Sequence, residues 1–121
     1  LPDMRLPIQY ALGYPVRQES SFKRFSFADY PQLTFEKPDL KVFKNLSLAF
    51  GAMKKGGNLP CIMNAANEVA VEAFLNDRLP FWKMPDIIAK TMQKIAFVKH
   101  PTLDDYSACD TEARLYAREL L

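Results

Sequence analysis

The chain has 121 residues, which fits one domain with a modest core and gives no sign of a second. Hydrophobic residues make up 49% and charged residues 25%, the balance of a globular protein and not of a disordered one. The formal net charge is only +2 and the basic residues are scattered, so the sequence excludes the electrostatic footprint of a nucleic-acid-binding protein.

The N-terminal segment PDMRLPIQYALGYP predicts one brief helix. Pro7 is expected at the first helical position, where proline is tolerated, and Gly13 and Pro15 should end the helix. The chain opens on Leu1 instead of an initiator methionine, which suggests a fragment. We expect no signal peptide, because the first residues are not a basic-then-apolar stretch.

The stretch from Pro15 to Leu40 predicts an extended arm, because it is rich in aromatic residues and prolines and has no helical period. Its aromatic side chains are too many for a solvated linker, so the arm should lie along an apolar surface; they are Phe22, Phe25, Phe27, Tyr30 and Phe35. We also expect Leu33-Thr34-Phe35 to pair with Leu79-Pro80-Phe81 as a minimal ribbon, at an edge because proline lacks a donor.

Four helical patterns follow the arm. Asn45 is expected to cap the first, which Gly56-Gly57 would end with left-handed backbone. The second carries NAANEVAVEAF, with Pro60 in its first turn and Asn76-Asp77 at its end. The third, PDIIAKTMQKIAF, is the clearest amphipathic pattern, and the fourth should begin near Asp110 as its cap.

Short connections between these helices predict antiparallel neighbours. The sequence therefore predicts a mainly α protein: an antiparallel four-helix bundle preceded by an extended aromatic-rich arm with a short N-terminal helix. No apolar run approaches the length of a membrane span, so we expect no membrane partner. Cys61 and Cys109 match no metal or redox spacing, which favours a reduced intracellular chain with both cysteines as small buried residues.

Asn64, Asn67 and Glu68 are the sharpest candidate site residues, because they share one side of a helix that is otherwise apolar nearly all round. Polar groups enclosed there need partners, and such clusters occur in functional sites as well as in structural networks. With no nucleophile, partner acid or metal ligand nearby, the pattern favours a structural network over a working site. His100 is the only histidine, so the residues alone indicate no catalytic or metal centre.

Three segments carry a family resemblance: PDMRLPIQYALGYP, LTFEKPDL and MNAANEVAVEAFL. In this order and spacing they resemble the C-terminal portion of the 1-deoxy-D-xylulose 5-phosphate reductoisomerase family, over essentially all of the chain. The resemblance implies a bacterial, cytoplasmic, homodimeric parent enzyme that uses NADPH and a divalent metal, Mg²⁺ or Mn²⁺. That enzyme makes 2-C-methyl-D-erythritol 4-phosphate in the non-mevalonate pathway of isoprenoid biosynthesis.

The resemblance also implies a division of the chain. Residues 1–40 would be the edge of the catalytic domain and the linker arm, and residues 41–121 the C-terminal helical domain with a supporting role. The metal ligands, the phosphate-binding serines and the active-site flap would all precede Leu1. The isolated chain should then be inactive and bind neither cofactor nor metal, and its partners would be the remaining domains and a second copy.

Pro2 and Met4 are the only residues that the resemblance places at the active site. They would form an apolar rim near the nicotinamide, which excludes water around hydride transfer. The chain departs from the family at Phe81-Trp82-Lys83-Met84-Pro85, where many relatives have a Thr or Asp cap for the third bundle helix. The alternative function is a stand-alone helical protein-interaction module, suggested by the incomplete site and the aromatic arm.

Overall fold

The computed structural model describes residues 3–121 and contains five α-helices and no β-strand within them. The helices are α1 (Arg5–Gly13), α2 (Lys44–Lys55), α3 (Leu59–Leu75), α4 (Met84–Lys94) and α5 (Leu103–Glu119), with a 3₁₀ turn at Phe81–Lys83. The prediction of a mainly helical chain is confirmed. The chain forms two compact units; the first ends at Glu36 and the second is Lys37–Leu121.

In the first unit, α1 begins at Arg5, so Pro7 is its third residue and not its first. The shift is tolerated because the first four helical N–H groups have no partner inside the helix in any case. Asp3 supplies a partner for one of them, since its carboxylate accepts a hydrogen bond of 3.0 Å from the Arg5 backbone N–H. Beyond α1, residues 17–36 contain no helix or strand.

The predicted ribbon between Leu33-Thr34-Phe35 and Leu79-Pro80-Phe81 is wrong, because neither segment is a strand. Pro80 is extended, with φ −71° and ψ 145°, but it leads directly into the 3₁₀ turn that begins at Phe81. The Pro80 carbonyl accepts from the Lys83 N–H at 3.0 Å, and proline has no N–H of its own to donate. The segment is thus held by local turn bonds instead of strand pairing.

In the second unit, α3 is the central element and packs against α2, α4 and α5. Small side chains dominate its buried face: Ala65, Ala66, Ala70 and Ala73 are all fully buried. Alanines let neighbouring helices approach closely, and the larger Ile62 fills the space toward Ala113 of α5. Ile87 and Ile88 of α4 complete the apolar contact with the second half of α3.

The predicted ends of α2 and α3 are confirmed. Gly56 and Gly57 have φ values of 68° and 60°, a backbone region that glycine enters without steric cost. Pro60 lies in the first turn of α3, and Asn76 caps its end. The missing cap at the start of α4 is also observed, since Lys83 at that position makes no side-chain cap bond.

Two predicted caps are wrong. Helix α2 begins at Lys44, so Asn45 lies inside its first turn and does not cap it. Helix α5 begins two turns before Asp110, where Thr102 and Asp105 form a reciprocal capping box. Thr102 Oγ1 accepts from the Asp105 N–H at 3.2 Å, and the Asp105 carboxylate accepts from the Thr102 N–H at 2.8 Å. A box satisfies two helix-end donors, which explains the earlier start.

Candidate functional site

Met4 directly precedes α1 and its side chain is 70% exposed. Pro2, the other residue expected at an active-site rim, lies outside the described residues. Next to Met4, the Arg5 guanidinium bonds the Asp3 carboxylate, with Nη2 to Oδ2 at 2.6 Å, and lies 4.4 Å from the centre of the Phe22 ring. These bonds hold the pKa of Asp3 at about 2, so its carboxylate stays ionised beside Met4.

A polar cluster joins α3 to α5. Asn64 Nδ2 donates to Glu68 Oε1 at 2.9 Å, one turn along α3. The other Glu68 oxygen accepts from Arg114 Nη2 of α5 at 2.7 Å. Arg114 also bonds Asp110, one turn back on its own helix, with Nε to Oδ2 at 2.7 Å. One guanidinium therefore connects two carboxylates from two helices, which we call the Arg114 cluster.

The electrostatics of the Arg114 cluster follow from these bonds. The pKa of Glu68 is held below its ordinary value, mainly by the hydrogen bond from Arg114 and secondly by the hydrogen bond from Asn64. Asp110 and Glu68 in turn hold the pKa of Arg114 above its ordinary value. Both shifts favour the charged forms of Glu68 and Arg114, which suits an ion pair between the two helices.

Asn67 lies between Asn64 and Glu68 in sequence, yet its half-buried side chain makes no hydrogen bond within residues 3–121. The structure thus brings Asn64 and Glu68 together and leaves Asn67 aside. Among the described residues, the pair has one partner outside α3, the Arg114 side chain of α5, which bonds Glu68. The sequence signal for Arg114 was its spacing from Asp110, because residues four apart on a helix are neighbours.

Asn58 is a polar residue whose importance the sequence did not reveal. It immediately precedes α3 and is only 1% exposed. Its Nδ2 donates to the Ala96 carbonyl and its Oδ1 accepts from the Val98 N–H, each at 2.9 Å. Its backbone N–H also donates to the Val98 carbonyl at 3.0 Å. Asn58 therefore ties the start of α3 to the segment that follows α4.

The second unit also presents an apolar surface near the start of α2. A cavity of 590 Å³ is lined there by Val42, Phe43, Phe81 and Trp82, among others. Trp82 is 68% exposed, and the Oδ1 of the neighbouring Asn45 is buried without a hydrogen-bond partner within the described chain. An apolar pocket with one unpaired acceptor can hold a side chain from another surface, but it contains no catalytic group.

No metal-binding group is present in the described part of the chain: nowhere in residues 3–121 do three or more His, Cys, Asp or Glu side chains gather so that they could hold an ion. In the same range, none of the helices is both long and apolar enough to cross a membrane. Each unit thus has its own candidate site: Met4 with its neighbours Asp3 and Arg5 in the first unit, and the Arg114 cluster in the second.

Sequence comparison finds one family model over nearly the whole chain. The model described as DXP reductoisomerase C-terminal domain matches residues 1–116. Among curated proteins, the 1-deoxy-D-xylulose 5-phosphate reductoisomerases of Bacteroides fragilis and Bacteroides thetaiotaomicron are 58% and 59% identical over all 121 residues. The chain spans only 31% of the length of each of these relatives.

Structure comparison agrees with the sequence. A 1-deoxy-D-xylulose 5-phosphate reductoisomerase from Zymomonas mobilis in complex with NADPH matches with a TM-score of 0.84 and 40% identity. A DOX-P reductoisomerase in complex with magnesium matches with a TM-score of 0.79 and 29% identity. Each match covers 99% of this chain and 32% of the other, so the similarity is to one part of those proteins.

Proposed function

The chain belongs to the DXP reductoisomerase C-terminal domain family, and from this premise we propose that it is the C-terminal portion of a 1-deoxy-D-xylulose 5-phosphate reductoisomerase. The parent enzyme would use NADPH to rearrange and reduce its substrate to 2-C-methyl-D-erythritol 4-phosphate, a step of non-mevalonate isoprenoid biosynthesis. The observation that carries the proposal is 58% identity over the entire chain, accompanied by a TM-score of 0.84 to a relative of known structure.

Within this proposal the chain has two parts. Residues 1–40 are the edge of the catalytic domain and the linker arm, and residues 41–121 are the C-terminal domain. That domain is an antiparallel four-helix bundle, and the arm is extended and rich in aromatic residues. The packing of α2, α4 and α5 around α3 supports the bundle, and the absence of helix or strand in residues 17–36 supports the arm.

The proposed role of the chain is structural support, with one contact to the cofactor. NADPH supplies the hydride, and a divalent metal, Mg²⁺ or Mn²⁺, is held by other parts of the parent. Pro2 and Met4 line the rim of the nicotinamide site. The 70% exposure of Met4 supports this, because an exposed thioether is free to pack against a flat ring.

The proposed partners are the remaining domains of the parent and a second copy of the whole enzyme, in the bacterial cytoplasm. The exposed apolar side chains of the first unit support contact with other domains: Met4, Leu12, Phe27 and Phe35 are all at least 70% exposed. A monomeric protein rarely leaves such surface in water.

Of the expected network of Asn64, Asn67 and Glu68, we further propose that Asn64 and Glu68 act together with Arg114 as a structural network and not as a working site, with Asn67 outside its hydrogen bonds. The hydrogen bonds from Asn64 and Arg114 to Glu68 support this structural role, because both stabilise the charged form of a carboxylate that faces solvent. In full-length protein, Glu68→Gln should lower stability and leave kcat/KM unchanged where the protein remains folded. Loss of turnover at unchanged stability would show instead that these residues act in the reaction.

The experiment that tests the function is an assay of the complete protein that contains this chain. Purified protein is mixed with 1-deoxy-D-xylulose 5-phosphate, NADPH and Mg²⁺, and NADPH absorbance is followed. We expect substrate-dependent loss of NADPH from the complete protein and none from the isolated 121-residue chain. No turnover by the folded complete protein would overturn the proposal and favour a helical interaction module. Turnover by the isolated chain would overturn the supporting role.

A further inference from the structure

Two thiols on neighbouring helices share one hydrogen-bond acceptor. Cys61 of α3 and Cys109 of α5 are both free thiols, and both donate to the backbone carbonyl oxygen of Tyr106. The Sγ–O distances are 3.7 Å for Cys61 and 3.3 Å for Cys109. Because both sulfur atoms lie against the same oxygen, they are neighbours where α3 packs on α5. The sequence separation of the two cysteines gave no hint of this pairing.

The two thiols differ in accessibility. Cys109 is buried, whereas Cys61 is half-buried and reaches the surface. The pKa of Cys61 is raised to about 11, mainly by burial and secondly by the adjoining Cys109 thiol. Among the charged groups nearby, Asp110 raises this pKa further and Arg114 lowers it. Cys61 therefore reacts slowly at neutral pH, and faster as its thiolate fraction grows.

We propose that Cys61 and Cys109 form a site of reversible intrachain disulfide formation that joins α3 to α5, with a low-molecular-weight disulfide as the oxidant. The Cys61 thiolate attacks one sulfur of the reagent, and the other half of the reagent leaves as a thiolate. Cys109 then loses its proton to solvent and attacks the Cys61 sulfur of the mixed disulfide, which releases the second thiolate. Two protein thiols are oxidised, and one reagent molecule is reduced to two thiols.

The fold favours the intrachain product. These two are the only cysteines of the chain, so no other internal partner competes. Their sulfur atoms are held near each other by contacts independent of the thiols themselves: the buried packing of Ile62 and Ala65 of α3 with Ala113 of α5, and the bond between Arg114 and Glu68. The same contacts should raise the equilibrium constant for the disulfide in the folded chain above its value in the unfolded chain.

The test equilibrates the 121-residue chain with oxidised and reduced glutathione at mildly alkaline pH, in buffer and in concentrated guanidinium. Free thiols are then alkylated, and intact mass and non-reduced tryptic peptides are measured. We expect a monomer that has lost both thiols, with the Cys61 and Cys109 peptides linked. The equilibrium constant should be on the order of 100-fold larger in buffer than in guanidinium, the size of a typical folded-state preference for a disulfide.

Two variants check the order of the steps, with folding verified by circular dichroism. Cys109→Ser should stop at a glutathione adduct on Cys61, whereas folded Cys61→Ser should leave Cys109 unmodified. The wild-type rate should rise about tenfold per pH unit below the pKa of Cys61. A stable adduct on wild-type Cys61 with Cys109 still free, covalent dimers as the product, or equal equilibrium constants with and without guanidinium would each overturn the proposal. If a variant fails to fold, the comparison of the wild-type equilibrium constants in buffer and in guanidinium still tests the proposal.

Discussion

Replacement of Asn58 by alanine should destabilise the second unit much more than the replacement of an exposed asparagine in it. The substitution removes both side-chain hydrogen bonds, to the Ala96 carbonyl and from the Val98 N–H, while the backbone bond to the Val98 carbonyl survives. The position is 1% exposed, so water cannot replace the lost partners without entering the fold.

The expected magnitude follows from those two bonds. Each lost bond leaves its backbone partner unpaired in a buried position, which costs about 1–2 kcal/mol, the lower part of the usual range for such a loss. Asn58→Ala should therefore lower the free energy of unfolding by about 2–4 kcal/mol. For a unit of this size the melting temperature should fall by on the order of 10–20 °C.

The assay is thermal and urea unfolding followed by circular dichroism, with two companion variants. Asn76→Ala is the matched control, because exposed Asn76 makes one side-chain bond, to the Glu72 carbonyl at 2.8 Å, and should cost about 0.5 kcal/mol or less. Asn58→Asp keeps an acceptor for the Val98 N–H but turns an ionised oxygen toward the Ala96 carbonyl. Its stability should improve on acidification, when the protonated carboxyl can donate again. If Asn58→Ala unfolds at the same urea concentration as Asn76→Ala, the reasoning is refuted.

The remaining predictions concern glycine, a helix cap and pH. Gly57→Ala should cost at least about 2 kcal/mol of stability, because φ is 60° and a Cβ would overlap the Val98 carbonyl oxygen. Gly51→Ala should instead stabilise α2 by about 0.5–1 kcal/mol, since its Cβ would meet nothing within 4 Å. Thr102→Ala should cost about 1 kcal/mol of stability through loss of the capping box, whereas Thr111→Ala, at an exposed position inside α5, should change stability very little. Equal urea midpoints for these two variants would show that the capping box does not stabilise α5. The folded-state pKa of Glu68 is depressed, so its stabilisation is present above its ordinary pKa of 4.5 and is lost as pH falls through the folded value. The melting temperature of Glu68→Gln should accordingly fall less than that of the wild type between about pH 5 and pH 3. Parallel curves of melting temperature against pH would exclude stabilisation by the Glu68–Arg114 ion pair.

Local sequence patterns predicted most of the helices because their signals lie within a few residues. The 3.6-residue period marked α3 and α4, and glycines with left-handed backbone marked the end of α2. The cap predicted for α5 was wrong because two local signals competed. Asp110 had the chemistry of a cap, but Thr102 and Asp105 had the reciprocal spacing that satisfies two donors instead of one.

The polar contacts of the site were harder to predict because their partners are remote in sequence. Nothing near Asn58 indicates that Ala96 and Val98 will accept its side chain, and nothing near Glu68 indicates Arg114. Such pairs depend on how α3, α4 and α5 pack, which a hydrophobic period constrains only to a face of each helix. The family resemblance supplied the function, since the residues alone indicated no complete site.

The distribution of polar contacts along α3 explains how this helix keeps a fixed register. Asn58, Cys61 and Glu68 make its bonds to other elements, and all three lie before the helix midpoint or close to it. The second half, including Ala70 and Ala73, is held by apolar packing. Small alanine surfaces permit several sliding positions, whereas hydrogen bonds tolerate little change in distance or angle. The first half of α3 therefore sets the position of the helix against α5 and the segment after α4, and the second half adds apolar packing through Val69, Ala70 and Ala73.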